Sequence, residues 1–405
     1  MNTRILFLVA GLLFCGQACA QDLAIRAEKL HTMHGAAIDD GVVLIQAGKI
    51  TAMGSAQQVR IPQGVEVLQA KVATPGLVDA RSVVGLAGYM NQPHDQDQLE
   101  TSSPLQPQLR AMDAYNPRET LVQWLRELGV TTLHTGHGPG SLLSGQTMVV
   151  KTRGNTVEAA LIKPQAMLAA ELGPGALAER GKSPGTRAKQ MAMLRSLLLK
   201  ARAQDDAGKG NKEKDPADAS ELDMQAMRAV LARQMPLMVT AWKAQDIMSA
   251  LRLKQEFNID LILDGAAESY LLLEAIKQAD VPVILHPPMA RQHGELENAS
   301  FTTAAQLHQA GIRFALQSGY EAYVPKTRVV LWEAAIAAAH GLPQEAALAS
   351  ITIDAARIIG MEQRVGSLEV GKDGDVVLFD GDPLEYTSHV TGVVIDGVVV
   401  SRERR

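Results

Sequence analysis

Cysteine is almost missing: the 405 residues include only 2, Cys15 and Cys19, and both fall within residues 1–20. From residue 21 onward there is no disulfide, thiolate metal site or cysteine nucleophile. No stretch after residue 20 resembles a transmembrane helix, which needs about 20 consecutive apolar residues. Basic charge is in short supply as well, with 39 Lys and Arg against 44 Asp and Glu and a formal net charge of −5. That balance argues against general nucleic-acid binding, which needs a basic face. No G-x-G-x-x-G fingerprint is present, so a dehydrogenase or other nucleotide enzyme is set aside. What is there is ordinary for a globular protein: 46% hydrophobic and 20% charged residues, in a chain long enough for one large domain and a small one.

The first twenty residues read as a processing signal. Arg4 supplies the positive end, Ile5 to Cys15 the apolar run, and Ala18-Cys19-Ala20 a small-x-small cleavage site. A buried N-terminal helix is the alternative. Gly16, three residues before Cys19, argues against a lipid anchor. The expectation is export to the periplasm or beyond, where a cysteine-free chain suits an oxidising compartment.

Both ends of the remaining chain are β-rich. "LAIRAEKLHTMHGAAIDDGVVLIQAGKITAMGS" and "VGSLEVGKDGDVVLFDGDPLE…VTGVVIDGVVVSRERR" alternate short β-prone runs with turn residues. Asp40-Gly41, Gly48-Lys49, Asp373-Gly374 and Asp396-Gly397 are the turn signals. Residues 21–73 and 362–405 are expected to form one small β-sandwich. The middle, 74–361, alternates helix and strand in "ETLVQWLRELGVTTLHTG", "WKAQDIMSALRLKQEFNIDLILDG", "YLLLEAIKQADVPVILHPP" and "TTAAQLHQAGIRFALQSG". Apolar residues at helical spacing followed by short apolar runs predict parallel strands buried on both faces. The expected fold is a (β/α)8 TIM barrel, with a doubly wound sheet as the alternative. The charged stretch Ala201 to Asp223 breaks this rhythm and reads as a solvated linker between helices.

Reactive groups of a barrel belong at the C-terminal ends of its strands. Here those ends fall in "VDARSVVG", "TTLHTGHGPG", "LMVTAWKAQ", "LILDGAAES", "VILHPPMA" and "RFALQSGYE". "ATPGLVDARS", the S-G-Q loop of "LGVTTLHTGHGPGSLLSGQTMVVKTRG" and the long closing element "ALASITIDAARIIGMEQRVGSLEVGKDGDVVLFDGDPLE" carry a resemblance over nearly the whole chain. The chain resembles the amidohydrolase superfamily, and in it the secreted, imidazolonepropionase-like branch.

The resemblance implies hydrolysis of a non-peptide carbon–nitrogen bond, often in a cyclic amide, by water activated on one or two divalent metals, zinc being usual. Carried over position by position, the metal ligands are missing. The His-x-His after the first strand falls on Arg81 and Val83, the strand-five position on Thr240 and Trp242, the strand-six histidine on Gly265 and the strand-eight aspartate on Gly319. Arginine stays protonated and valine has no donor atom. No cofactor is therefore assigned with assurance.

The remaining candidates at the barrel mouth are Arg81, His134, His137, Asp264, Glu268 and His286. Arg81 is expected to hold an anion or to pair with Asp264 or Glu268. His134, His137 and His286, with His94, Asp95 and Asp97, are the donors from which a relocated zinc site would be built; hydrogen-bonded loop residues are the plainer reading. Ser144 and Ser318 lack a G-x-S-x-G setting and read as turn serines. Two functions stay open. One is a weak or inactive hydrolase. The other is a non-catalytic subunit that binds a small molecule or forms a homo-oligomer, or a hetero-oligomer with an active paralogue, with no nucleic acid and no membrane contact once the signal is removed.

Overall fold

In the computed structural model all four helix-then-strand units lie where the periodicity puts them. The structure describes residues 22–207, 219–288, 294–319 and 330–405. The expected signal peptide, 1–20, and the centre of the charged linker lie outside the described residues. The helix before that linker runs on to Ala207 and the next begins at Ala219, so helix covers more of the charged stretch than its composition suggests.

The N-terminal strands are Leu23–Leu30 (β1), Ile38–Gln46 (β2), Lys49–Ser55 (β3) and Glu66–Pro75 (β4). Asp40-Gly41 is not a turn. It lies inside β2, where Gly41 pairs with Ala27 of β1. A Cβ on Gly41 would stand 2.5 Å from the Leu30 Cβ, so close strand approach, not chain reversal, calls for glycine there.

Past Pro75 the chain enters the barrel-like layer: Leu77–Ser82 (β5), Val130–Thr135 (β6), Leu143–Gln146 (β7), Met148–Lys151 (β8), Leu161–Lys163 (β9), Leu168–Glu171 (β10), Leu237–Ala241 (β11), Leu261–Gly265 (β12), Val283–Leu285 (β13) and Phe314–Leu316 (β14). β5 and β6 are parallel, and so are β10 to β14 in succession. Helices Thr120–Glu127, Ala244–Phe257, Leu273–Gln278 and Thr303–Gln309 precede β6, β12, β13 and β14. Ala244–Phe257 shows the local logic: Ile247, Ala250, Leu251 and Phe257 are buried on one face, and Asn258 closes the helix at φ +54°.

The expected closed (β/α)8 barrel is corrected here. The strands form two sheets, β14-β13-β12-β11-β10-β7 and β5-β6-β8-β9. β7 and β8 run antiparallel, β7 to β10 and β8 to β6, so the segment 143–151 bridges the two sheets. The connection from Thr135 to Leu143 is too short for the crossover of about a dozen residues that a parallel neighbour requires. Among the described residues no ladder joins β14 to β5. Asp79 joins those edges instead, accepting hydrogen bonds from the Ser318 N–H and hydroxyl.

The C-terminal strands Val376–Phe379 (β15), Val390–Ile395 (β16) and Val398–Ser401 (β17) return to the first unit. With β1 to β4 they give one seven-stranded, hydrogen-bonded sheet built from both chain ends, β17-β16-β15-β4-β1-β2-β3. Its arms meet through Gly374 N–H to Gly48 O and Ile50 N–H to Lys372 O, over a core of Leu23, Ile25, Ile45, Val376 and Val394.

Lys151, buried at the end of β8, fastens this sheet to the barrel layer. Its ammonium pairs with Asp373 at 3.0 Å, with Asp375, and with Asp396 at 3.4 Å. Replacing it with methionine takes the cation from buried Asp375, while Asp373 keeps Lys49 and Arg364 and Asp396 keeps Arg153. Lys151→Met is expected to destabilise the fold by about 3–5 kcal/mol, read by urea unfolding. A change within about 0.5 kcal/mol would show the network to be dispensable.

Candidate functional site

The strand ends of the barrel layer converge on a cavity of about 20 Å³. That is room for about one water molecule. Arg81, Ser82, Thr240, Trp242, Asp264, His286 and Gln317 are its polar and aromatic lining, and Val83, Pro139 and Gly319 also face it.

Arg81 is next to last in β5 and buried. Its Nη1 donates to Ser82 O at 3.0 Å and its Nη2 to His137 O. Burial pushes its pKa down; the Asp264 and Asp79 carboxylates oppose that from a distance. Arg81 forms an ion pair with neither Asp264 nor Glu268, which corrects the expected pairing. Asp264 Oδ2 accepts from the Thr240 hydroxyl at 2.5 Å and its Oδ1 from Gln317 Nε2 at 2.6 Å. Glu268 turns away to the helix Ala244–Phe257, where it accepts from Ala244 N–H at 2.7 Å and pairs with Lys243 at 3.1 Å. An N-terminal helix amide and an ammonium together outcompete the mouth for this carboxylate.

The histidines separate into three fates. His134 points into the layer: Nδ1 lies 2.6 Å from Ala80 O and Nε2 lies 2.6 Å from Thr147 Oγ1. A carbonyl only accepts, so Nδ1 carries the proton and neither nitrogen is left for a metal. Burial, and then the Arg81 charge, lower its pKa to about 3. His137 is also buried, its pKa lowered to about 4 by the same two causes, and its ring nitrogens make no hydrogen bond among the described residues. It does not line the cavity. His286 does, standing edge-on to Trp242 with ring centroids 6.5 Å apart.

His94, Asp95 and Asp97 are not drawn to the mouth. Asp95 caps its own loop, accepting from Met90 N–H and Gln92 N–H at 2.7 Å each. Among the described residues no three His, Cys, Asp or Glu side chains form a group able to hold a metal. Ser144 is buried in β7 and Ser318 is held by Asp79.

At Gly265 and Gly319, neighbouring rings occupy the space that a side chain would need. A Cβ on Gly265 would lie 2.6 Å from the Trp242 ring, and one on Gly319 would lie 2.2 Å from the His286 ring. Both glycines also have φ +75°, in the left-handed region. Neither position can carry a side chain while Trp242 and His286 stay where they are.

Sequence reasoning missed two members of this site. Gln317 binds Asp264 and the Ile284 carbonyl. Glu171 closes β10, is buried, and has its pKa raised to about 8 by desolvation; the Gly140 N–H and the Trp242 side chain are its hydrogen-bond partners. The available signal was an acid ending the apolar run "MLAAELGPG", a strand-end pattern like the others.

A parallel-stranded α/β layer with a composite terminal sheet, and a mouth built from strand ends, defines a class of barrel-type α/β folds. Residues 142–401 match the Amidohydrolase family, and the chain belongs to it. Amidohydrolase tasK of Hapsidospora irregularis is 25% identical over 388 residues, 88% of this chain and 39% of that protein. The chain therefore spans about two fifths of that relative's length. Imidazolonepropionase of Symbiobacterium thermophilum is 36% identical over 110 residues, 27% of this chain and 26% of that protein. The solved structure of an amidohydrolase from Thermotoga maritima superposes with a TM-score of 0.87 and 28% identity, covering 94% of this chain and 100% of that one.

Proposed function

We propose that this amidohydrolase descends from hydrolases of non-peptide carbon–nitrogen bonds, in cyclic amides or similar compounds, and has lost most or all of that activity. The observation that carries this reading is the occupation of Gly265 and Gly319 space by the Trp242 and His286 rings. The residues at the positions where the family holds its metal do not fit one: a guanidinium repels a cation, and valine and glycine offer no side-chain donor. No catalytic step is therefore derived through a metal.

The second reading is a non-catalytic subunit, one that binds a small ligand or assembles with copies of itself or with an active paralogue. A mouth cavity of about 20 Å³ among the described residues, too small for a substrate, favours assembly with another chain over ligand binding at the mouth. Export to the periplasm stays part of the proposal, resting on Arg4, the apolar run and Ala18-Cys19-Ala20. Among the described residues no helix is long and apolar enough to cross a membrane.

Metal content tests the proposal most directly. The chain from Gln21, purified without chelator or metal-affinity resin, is expected to hold zinc, iron and manganese at well below one ion per chain in elemental analysis. A near-stoichiometric metal would overturn the reading and direct attention to His137 and His286, since both nitrogens of His134 are engaged. Lactams, hydantoins and acyl dipeptides, assayed with and without added zinc, are expected to turn over no faster than buffer controls.

A further inference from the structure

β10 ends on Glu171, and the chain then turns back over that side chain. Leu172 and Gly173 are buried; Pro174 and Gly175 come to the surface. The Glu171 carboxyl is packed against Gly175: a Cβ there would stand 2.2 Å from Oε1 and 3.0 Å from Oε2. Glu171 itself is only 3% exposed. Gly175 therefore stands between a buried carboxyl and the solvent. Its φ is not in the left-handed region, so close approach, and not backbone torsion, calls for glycine.

Both ends of this short cover are tied down. Gly173 exchanges two hydrogen bonds with the buried Gln190 amide, its N–H to Oε1 at 3.1 Å and Nε2 to its carbonyl at 2.8 Å. Further on, Leu177 N–H donates to Pro174 O at 3.1 Å and Ala178 N–H to Pro184 O at 2.8 Å. The charges around the cover oppose a second one beneath it. Desolvation is the largest cause that raises the Glu171 pKa, to about 8; Glu295 and Asp264, both acids, push the same way, and the Gly140 N–H and Trp242 side chain push back. Glu295, which accepts from Gly175 N–H, faces Asp246, Arg187 and Lys243. Those cations are engaged elsewhere, Arg187 with Asp246 at 2.8 Å and Lys243 with Glu297 at 2.6 Å. Once ionised, Glu171 is a buried charge without a cation partner among the described residues, and it must regain water. The way to water past Gly175 displaces the least structure.

We propose that Pro174 to Ala176 form a pH-sensitive lid, closed while Glu171 carries its proton and lifted when the carboxylate forms. Lifting lets water reach the end of β10. It also loosens one wall of the mouth, because Gly140, which donates to Glu171, follows the mouth residue Pro139. The lid stands on its own packing, so its failure would leave the reading of the mouth untouched.

Hydrogen–deuterium exchange tests it, read by mass spectrometry on the full chain at about pH 6.5 and about pH 9.5, with rates corrected for the intrinsic effect of pH. The reporters are the amides of residues 175–178, and those of β11 serve as the internal reference. The reporters are expected to lose about tenfold in protection at the higher pH while β11 does not. Glu171→Gln, which cannot ionise, is expected to keep the lid protected at both pH values. Gly175→Ala, whose methyl group would press on Oε1, is expected to leave it unprotected at both. Equal protection of the lid at the two pH values in the unsubstituted chain would overturn the proposal. So would the same loss in Glu171→Gln, a loss shared equally by β11, or a Gly175→Ala lid as protected as the parent's at about pH 6.5.

Discussion

The double variant Gly265→His/Gly319→Asp is expected to lose about 4 kcal/mol or more of stability and to gain no tight zinc site. Each substitution places a side chain at φ +75°. Left-handed backbone costs about 1–2 kcal/mol for a residue with a Cβ. Each also drives that Cβ into a ring, Trp242 in one case and His286 in the other, at 2.6 and 2.2 Å. Overpacking of this kind costs about 1–3 kcal/mol at each site. Urea unfolding gives the stability, and calorimetric titration with zinc gives the metal affinity. A loss under about 1 kcal/mol together with tight zinc binding would mean that the family site is latent, not rebuilt.

On going from about pH 5 to about pH 8, Glu171→Gln is expected to gain on the unsubstituted chain by on the order of 4 kcal/mol. Burial raises the Glu171 pKa to about 8. An unfolded glutamate titrates near 4.3. Between those values the native state keeps a proton that the unfolded state has released, so wild-type stability falls as pH rises and levels off above about pH 8. Glutamine does not titrate. Asp79, raised to about 7 by burial, acts in the same direction in both proteins and drops out of the difference. His134 and His137 act oppositely: their pKa values are lowered, so their stabilisation is lost as pH falls below about 6.5. They too are common to both proteins. A difference between variant and parent that stays flat across this range would show Glu171 ionised in the folded state.

Much of the fold was legible because it rests on local pattern. Apolar spacing located the helix Ala244–Phe257 and the strand Leu261–Gly265, and the turn at Asp396-Gly397 has both residues at positive φ, as a tight hairpin requires. Position along a strand brought only part of the expected set to the mouth, since His134, His137 and Glu268 do not line it. Arg81, Val83, Thr240, Trp242 and Gly319 line one cavity because each stands at or just past the end of a neighbouring strand. Asp40-Gly41 misled because a glycine demanded by close packing looks the same in sequence as one demanded by a turn.

The sequence by itself determined the element types, the joining of the two chain ends in one small β-unit and the chemical identity of the residues at the strand ends. The tertiary structure alone decided where each side chain goes. Asp79 closes an edge with a residue 239 positions away; Glu268 caps a helix and does not meet Arg81; the antiparallel segment 143–151 takes up the place between β6 and β10. Local pattern reflects the period of the backbone. A buried polar group instead goes to whichever partner, however distant in the chain, best offsets its lost hydration, and that choice exists only once the layers have packed.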